Sequence, residues 1–252
     1  MTKSALITGA SSGIGRATAL RFGCAGYQVG LVARRAAELE RVAAEIAAEG
    51  GRARPIPADV AEPGEIERVV RVMVETFGGI DVLINAAGII ADGTIEDTGL
   101  AEWDRMLAVN LRGPLYLMRC AMPHLIARKG NVVNVSSVTG LRAFPGVLAY
   151  CVSKAAVDQL TRCAALEVAS QGVRVNAVNP GLVLTELHRT SGMDDEAYTG
   201  FLERSKMTHP LGRVGRPEEV AELIFYLASE QAGWMTGVTV PIDGGRAQTC
   251  AR

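Results

Sequence analysis

Short apolar runs alternate along the chain with longer segments in which apolar positions recur every three or four residues. The runs predict strands over residues 4–8, 28–32, 53–57, 81–85, 131–135, 173–178 and 238–241. The periodic segments predict helices over 14–25, 36–49, 63–77, 101–125, 148–170 and 217–228. Gly26, Gly50 and Gly172 follow three of these helices, where a left-handed C-cap residue is expected. Strands that are apolar on both faces, each followed by a helix, imply a parallel sheet covered on both sides. The expected fold class is therefore α/β, a doubly wound three-layer α/β/α sandwich.

Connections are short and no linker or low-complexity stretch intervenes, so one domain spanning 1–252 is expected. One segment, 186–208, interrupts the alternation and mixes charges with Met193, Tyr198, Phe201, Leu202 and Met207. It leaves from the C-terminal end of a strand, where a doubly wound sheet binds ligands. It is expected to be a lid over a substrate pocket. The plainer alternative is a surface excursion packed against a neighbouring subunit. His188, at its start, is either a substrate contact or an ordinary surface histidine.

Composition narrows the function. Apolar residues make up 48% of the chain and charged residues 21%, enough to bury a substantial core. The formal net charge is -1 and no polybasic run occurs, so neither nucleic acid nor a membrane is an expected partner. No apolar stretch approaches a membrane span, and the one at Ala5–Thr8 is too short for a signal-peptide core. Five cysteines (Cys24, Cys120, Cys151, Cys163, Cys250) are scattered with no Cys-x-x-Cys, as expected in a reducing compartment. A cytoplasmic location follows. The three histidines lie far apart, and no metal site is expected.

The first strand runs into Gly9-Ala10-Ser11-Ser12-Gly13-Ile14-Gly15 and then at once into a helix. Glycines here let the backbone approach a pyrophosphate, whose charge is met by the N–H groups and dipole of the helix N-terminus. The second strand ends at Ala33-Arg34-Arg35. An acidic side chain at this place would suit the ribose hydroxyls of NAD, whereas an arginine suits a 2′-phosphate. NADP(H) is thus expected over NAD(H), with Arg34 as the main contact and Ser11 or Arg35 assisting. The alternative is that both arginines are solvated at a helix start.

Tyr150 and Lys154 stand four residues apart in a helical segment, so phenol and ammonium share a face. A neighbouring cation favours the phenolate, making Tyr150 a plausible general acid/base. The strand over 131–135 ends in Ser136-Ser137, whose hydroxyls are placed to bond a substrate oxygen or simply to cap a turn. Asn110 lies inside a helical pattern that asparagine disfavours, either as a tolerated misfit or as part of a site. Cys151 diverges by about 100° from Tyr150 around the helix and is expected to pack in the core.

Over essentially its whole length the chain resembles the NAD(P)-dependent short-chain dehydrogenase/reductase family. The matching motifs are Thr8-Gly9-x-x-x-Gly13-x-Gly15, Asp59-Val60, Asn85-Ala86-Ala87-Gly88, Asn110, Ser137, Tyr150-x-x-x-Lys154 and Asn179-Pro180-Gly181 with Thr185. The family often has a second asparagine where this chain has Ala86. The resemblance implies a seven-stranded Rossmann-type sheet, usually assembled as a homotetramer or homodimer, with residues 237–245 as final strand and subunit contact. It implies Tyr150 as proton donor and acceptor and Lys154 as the ribose-binding, pKa-lowering cation. Ser137, by its spacing to Tyr150, would orient the substrate oxygen, and Asn110 would hold a relay water. Asp59 and Val60 would contact the adenine. Asn85, Ala86, Ala87 and Gly88 would line the cofactor cleft, and Pro180, Gly181, Val183 and Thr185 would grip the nicotinamide end.

The expected reaction is hydride transfer between the nicotinamide and a small ketone or secondary alcohol. The chain is also similar to 3-oxoacyl-acyl-carrier-protein reductases. That partner is acidic and needs a basic patch beside the pocket. Arg128 and Lys129 are candidates, while Gln171 and the acidic Asp194, Asp195 and Glu196 argue against it. A dinucleotide sensor without catalysis would be expected to lack part of the tetrad, which is complete here.

Overall fold

The computed structural model describes residues 2–185, 187 and 195–249. Seven strands, β1 (Ser4–Thr8), β2 (Gln28–Ala33), β3 (Arg52–Pro57), β4 (Val82–Asn85), β5 (Asn131–Val135), β6 (Arg174–Pro180) and β7 (Thr239–Ile242), form one sheet. Its order is β3-β2-β1-β4-β5-β6-β7 and every pairing is parallel. The chain builds outward from β1 to β3, returns, and continues from β4 on the other side. That reversal opens a crevice beyond the C-terminal ends of β1 and β4.

Alternation along the strands sorts side chains between two helical layers. Ala5 and Ile7 of β1, Val82 and Ile84 of β4 and Val133 of β5 face one layer. It is made of α1 (Gly13–Cys24), α2 (Ala36–Ala48) and α9 (Pro217–Ala228), which contribute Phe22, Leu39, Ile46 and Ile224. Leu6, Leu83, Val132 and Val175 face the other layer. There, α3 (Pro63–Phe77), α5 (Gly113–Arg128) and α7 (Leu148–Val168) bring Val69, Met73, Leu117 and Ala165. Phe22, fully buried, meets Tyr27 and Phe225 edge-on, with ring centroids 4.9 and 5.1 Å away.

The helix expected over 101–125 is interrupted. It is α4 (Leu100–Leu107), then a π-turn over Ala108–Arg112 in which the Gly113 N–H reaches back to the Ala108 carbonyl, then α5. The extra residue in that turn rotates Asn110 inward, which a regular helical period does not foresee. The helix expected over 148–170 ends at Val168 and tightens into a 3₁₀ turn, Ala169–Gln171. Two helices were not foreseen: the single turn α6 (Val138–Leu141) after β5, and α8 (Asp195–Thr208) within the lid segment. His188, Met193 and Asp194 of that segment lie outside the described residues. No helix among the described residues is long and apolar enough to cross a membrane.

Phe22→Ala is expected to cost about 3–5 kcal/mol by leaving a cavity in the α1–α9 layer. Urea unfolding should show a lower midpoint at an unchanged slope; a loss under about 1 kcal/mol would show that this aromatic cluster does not carry the core.

Candidate active site

A cleft of about 650 Å³ crosses the C-terminal ends of the strands, lined by residues that follow β1, β2, β3, β4 and β5 and end β6. Its floor begins where the loop after β1 meets the loop after β4. Thr8 Oγ1 accepts hydrogen bonds from the Ala86 and Ala87 N–H groups at 3.0 and 3.1 Å. A Cβ on Gly9 would fall 2.7 Å from the Ala86 oxygen, and one on Gly15 would fall 2.3 Å from the Gly9 oxygen. These two glycines are therefore demanded by the chain's own backbone crossing, before any ligand is considered. Ser11, Ser12, Gly13 and Ile14 line the cleft between them.

The residues fit a bound dinucleotide. Ser12 occupies the N-cap of α1 in extended conformation without a side-chain cap, and the first turn carries no acidic residue. The N–H donors of that turn are thus left for an anion. Arg34 and Arg35 are exposed on the cleft rim at the end of β2, and Arg35 Nη2 donates to Ser11 Oγ at 3.1 Å. Beside them Asp59 and Val60 enter the wall, and Asp59 Oδ1 accepts from the Ala61 N–H at 2.9 Å. At the other end Pro180, Gly181, Val183 and Thr185 line the cleft, and Gly13 packs against the Thr185 methyl.

Tyr150, Lys154 and Ser137 converge on the same wall. Tyr150 and Ser137 are joined by a side-chain hydrogen bond, and both are buried. Ser137 Oγ also accepts from the Thr139 N–H, capping α6, while it lines the cleft. Lys154 Nζ lies 5.6 Å from the Tyr150 ring centroid and donates to the Val135 carbonyl at 2.8 Å. The cation was expected to lower the tyrosine pKa, and the structure corrects this. Burial among Met106, Ala149 and Val147 pushes the phenol up to about 12, only partly opposed by Ser137. Burial likewise pulls Lys154 down to about 8, opposed by Asp158 one turn further on. The lysine that should supply positive charge is itself being desolvated.

Asn85 departs from its expected place, and neither it nor Asn110 lies on the cleft wall. Asn85, at the end of β4, points inward, where Nδ2 donates to Asn134 Oδ1 at 2.8 Å; Ala86, Ala87 and Gly88 do line the cleft. Asn110 is buried, accepting from the Ile89 N–H and donating to the Ile89 carbonyl, both at 2.9 Å. Its Nδ2 also lies 3.1 Å from Ser153 Oγ. It ties the cleft-lining loop to α7.

Several lining residues were missed: Ile89, Ile90, Phe144, His209 and Arg246. Ile89 and Ile90 follow the Gly88 motif directly, a cue that was available. The others come from loops with no periodic signal. His209 is buried; Nδ1 donates to the Ser205 carbonyl at 2.7 Å, while Nε2 accepts from the Leu182 N–H at 3.1 Å. Asp158 was also missed, although it shares the helix face of Tyr150 and Lys154. Phe201 of α8 does reach the cleft, and the Tyr198 hydroxyl donates to the Thr185 carbonyl at 3.1 Å. Arg128 and Lys129, in contrast, precede β5 at the sheet edge opposite the cleft, where Arg128 Nη2 donates to the Gly78 carbonyl at 2.9 Å. Within one chain they lie away from its entrance. Among the described residues, no group of three or more His, Cys, Asp or Glu could hold a metal ion.

Comparison with known proteins agrees with this fold. The family described as enoyl-(acyl carrier protein) reductase matches residues 9–247. The chain is 38% identical to a meso-2,3-butanediol dehydrogenase of Serratia marcescens over 96% of this chain and 94% of that protein. It is 39% identical to a 3-oxoacyl-acyl-carrier-protein reductase of Staphylococcus aureus, covering 97% of this chain and 98% of that one. A short-chain dehydrogenase/reductase of unknown function from Caenorhabditis elegans, solved with cofactor, superposes with a TM-score of 0.94. It is 35% identical, over 99% of this chain and 96% of that chain.

Ultraviolet difference titration of the protein against Tyr150→Phe, without added nucleotide, should show no tyrosinate signal from Tyr150 below its ordinary value of about 10. A signal near neutral pH would mean that the Lys154 charge outweighs burial.

Proposed function

The chain belongs to the short-chain dehydrogenase/reductase family, and we propose that it moves a hydride between NADP(H) and a small ketone or secondary alcohol with Tyr150 carrying the proton. The observation that carries this reading is the buried Tyr150 hydroxyl, bonded to Ser137 on the wall of the same cleft that Lys154 enters. Family members use NAD(P) and act on CH–OH or keto groups. The nicotinamide supplies the hydride when bound. Tyr150 holds the proton given to the carbonyl oxygen in reduction and takes it back in oxidation. Ser137 orients that oxygen and bonds to it as charge develops. Lys154 binds the nicotinamide ribose, and Asn110 holds a water that links Lys154 to bulk solvent as the relay that refills the proton. The neutral phenol favoured by burial is the form that reduction requires.

Two features support NADP(H) over NAD(H). Arg34 makes no hydrogen bond or ion pair within the described chain, and Arg35 already shares Ser11. An exposed guanidinium pair beside the adenosine site complements a 2′-phosphate. Segment 186–208 is read as a lid, since Phe201 and Ser205 of α8 line the cleft. A homotetramer or homodimer is inferred from the family, and Trp234 and Leu166, at 101% and 83% exposure, are apolar side chains available to such a contact. The free Cys24, Cys120, Cys151 and Cys163 suit the cytoplasm. A single domain over 1–252 is the simplest organisation.

The 39% identical Staphylococcus aureus protein favours a second reading, reduction of a 3-oxoacyl group on an acyl carrier protein. Within one chain, docking of that acidic partner would need other basic residues than Arg128 and Lys129 and would weaken steeply with salt. Turnover of an acyl-carrier substrate and a simple ketone at two salt concentrations separates the two.

Tyr150→Phe should abolish nearly all turnover on a carbonyl panel while leaving NADP(H) binding, read by nucleotide fluorescence, intact; substantial remaining activity would refute the assigned role. Arg34→Asp should invert the cofactor preference, with the NADPH-to-NADH ratio of kcat/KM falling at least about tenfold, the worth of one charge-assisted hydrogen bond. A wild-type protein that already prefers NADH would refute the NADP(H) assignment.

A further inference from the structure

Arg246 stands at the lid end of the cleft, and nothing in hydride or proton transfer uses it. The backbone beneath it is held firmly. The Asp243 carboxylate accepts from the Gly245 and Ala247 N–H groups at 2.9 and 2.6 Å. Arg142 donates to the Ala247 carbonyl at 3.0 Å and to the Thr249 carbonyl. These contacts fix a single 3₁₀ turn, Arg246–Gln248, and so the root of the side chain.

The side chain is half-buried between the two walls of the cleft. Its guanidinium carbon lies 5.0 Å from the Phe144 ring centroid, and Nη1 makes one long bond, 3.4 Å, to the Thr208 carbonyl at the end of α8. Among the described residues it has no carboxylate partner, whereas Arg105 on the same cleft pairs with Glu102. A guanidinium carries five donors in a planar fork, and among the described residues only the Thr208 carbonyl accepts from this one. The single acidic residue on the described wall is Asp59, at the adenosine end. Both nitrogens of His209 nearby are engaged. A positive fork partly withdrawn from water, with no counter-ion among the described residues and with the apolar Phe144 ring beside it, fits a bidentate oxyanion.

We propose that Arg246 receives an oxyanionic group of the substrate, a carboxylate or a phosphoryl group, and so selects acidic ketones or hydroxy acids over neutral ones. This rests on reading the cleft as a hydride-transfer site. It goes further by naming the substrate class.

The test compares kcat/KM for acetoacetate, its methyl ester and a small keto phosphate in wild type, Arg246→Met and Arg246→Lys. The free acid or the keto phosphate should exceed the ester by about tenfold or more, the worth of a charge-assisted hydrogen bond. Whichever anion is preferred identifies the source of the oxyanion. Arg246→Met should collapse the anion-to-ester ratio, chiefly through KM, and Arg246→Lys should restore part of it. A wild type that prefers the ester, or a ratio unmoved in Arg246→Met, overturns the proposal. In that case Tyr150-dependent reduction of the ester leaves the parent reading standing. If none of the three compounds is turned over, both readings fall.

Discussion

The structure depends on one backbone crossing. Where the chain leaves β1 and where it leaves β4, the two loops lie so close that a Cβ on Gly9 would overlap the Ala86 carbonyl. Thr8 Oγ1 holds both loop N–H groups across the gap. The contact occurs at the point where strand order reverses, which is why a crevice exists there. Without the crossing, the uncapped start of α1, the rim arginines after β2 and the wall carrying Gly88 would not face one another.

Burial then sets the chemistry of the opposite wall. Tyr150, Lys154 and Asp158 stand on one face of α7, all withdrawn from water, and burial is the largest influence on each. It favours the neutral phenol, weakens the ammonium and raises the carboxyl of Asp158. Asp158 is held by Asn179, whose Nδ2 lies 3.1 and 2.9 Å from its two oxygens, so the strand that ends at Pro180 on the cleft wall also anchors this helix. The ionisation of the site is a property of this packed group, and no single pairwise contact accounts for it.

Much of the framework was legible. The strand and helix segments, the parallel doubly wound order and the residues facing the cleft follow from apolar period, glycine placement and motif spacing. The corrections share one feature, since each concerns surroundings that only the packed layers supply. Asn110 faces Ile89 because a π-turn inserts a residue into its helix. Asn85 closes a hydrogen bond inside the sheet, although it adjoins three residues that do line the cleft. Arg128 and Lys129 looked like an entrance patch until the parallel direction of β5 put them at the opposite edge.

The amino-acid order by itself determined the period of each element, the helix face shared by Tyr150 and Lys154 and the residue types at each strand end. These are local consequences of backbone geometry and side-chain spacing. The tertiary structure alone decided the sign of the tyrosine shift, the inward turn of the two asparagines and the meeting of Arg246 with Phe144 and Thr208. Burial and proximity between residues distant in the chain exist only once the layers have packed. The charge a group carries in such a place is set by what surrounds it, and its sequence neighbours do not report that.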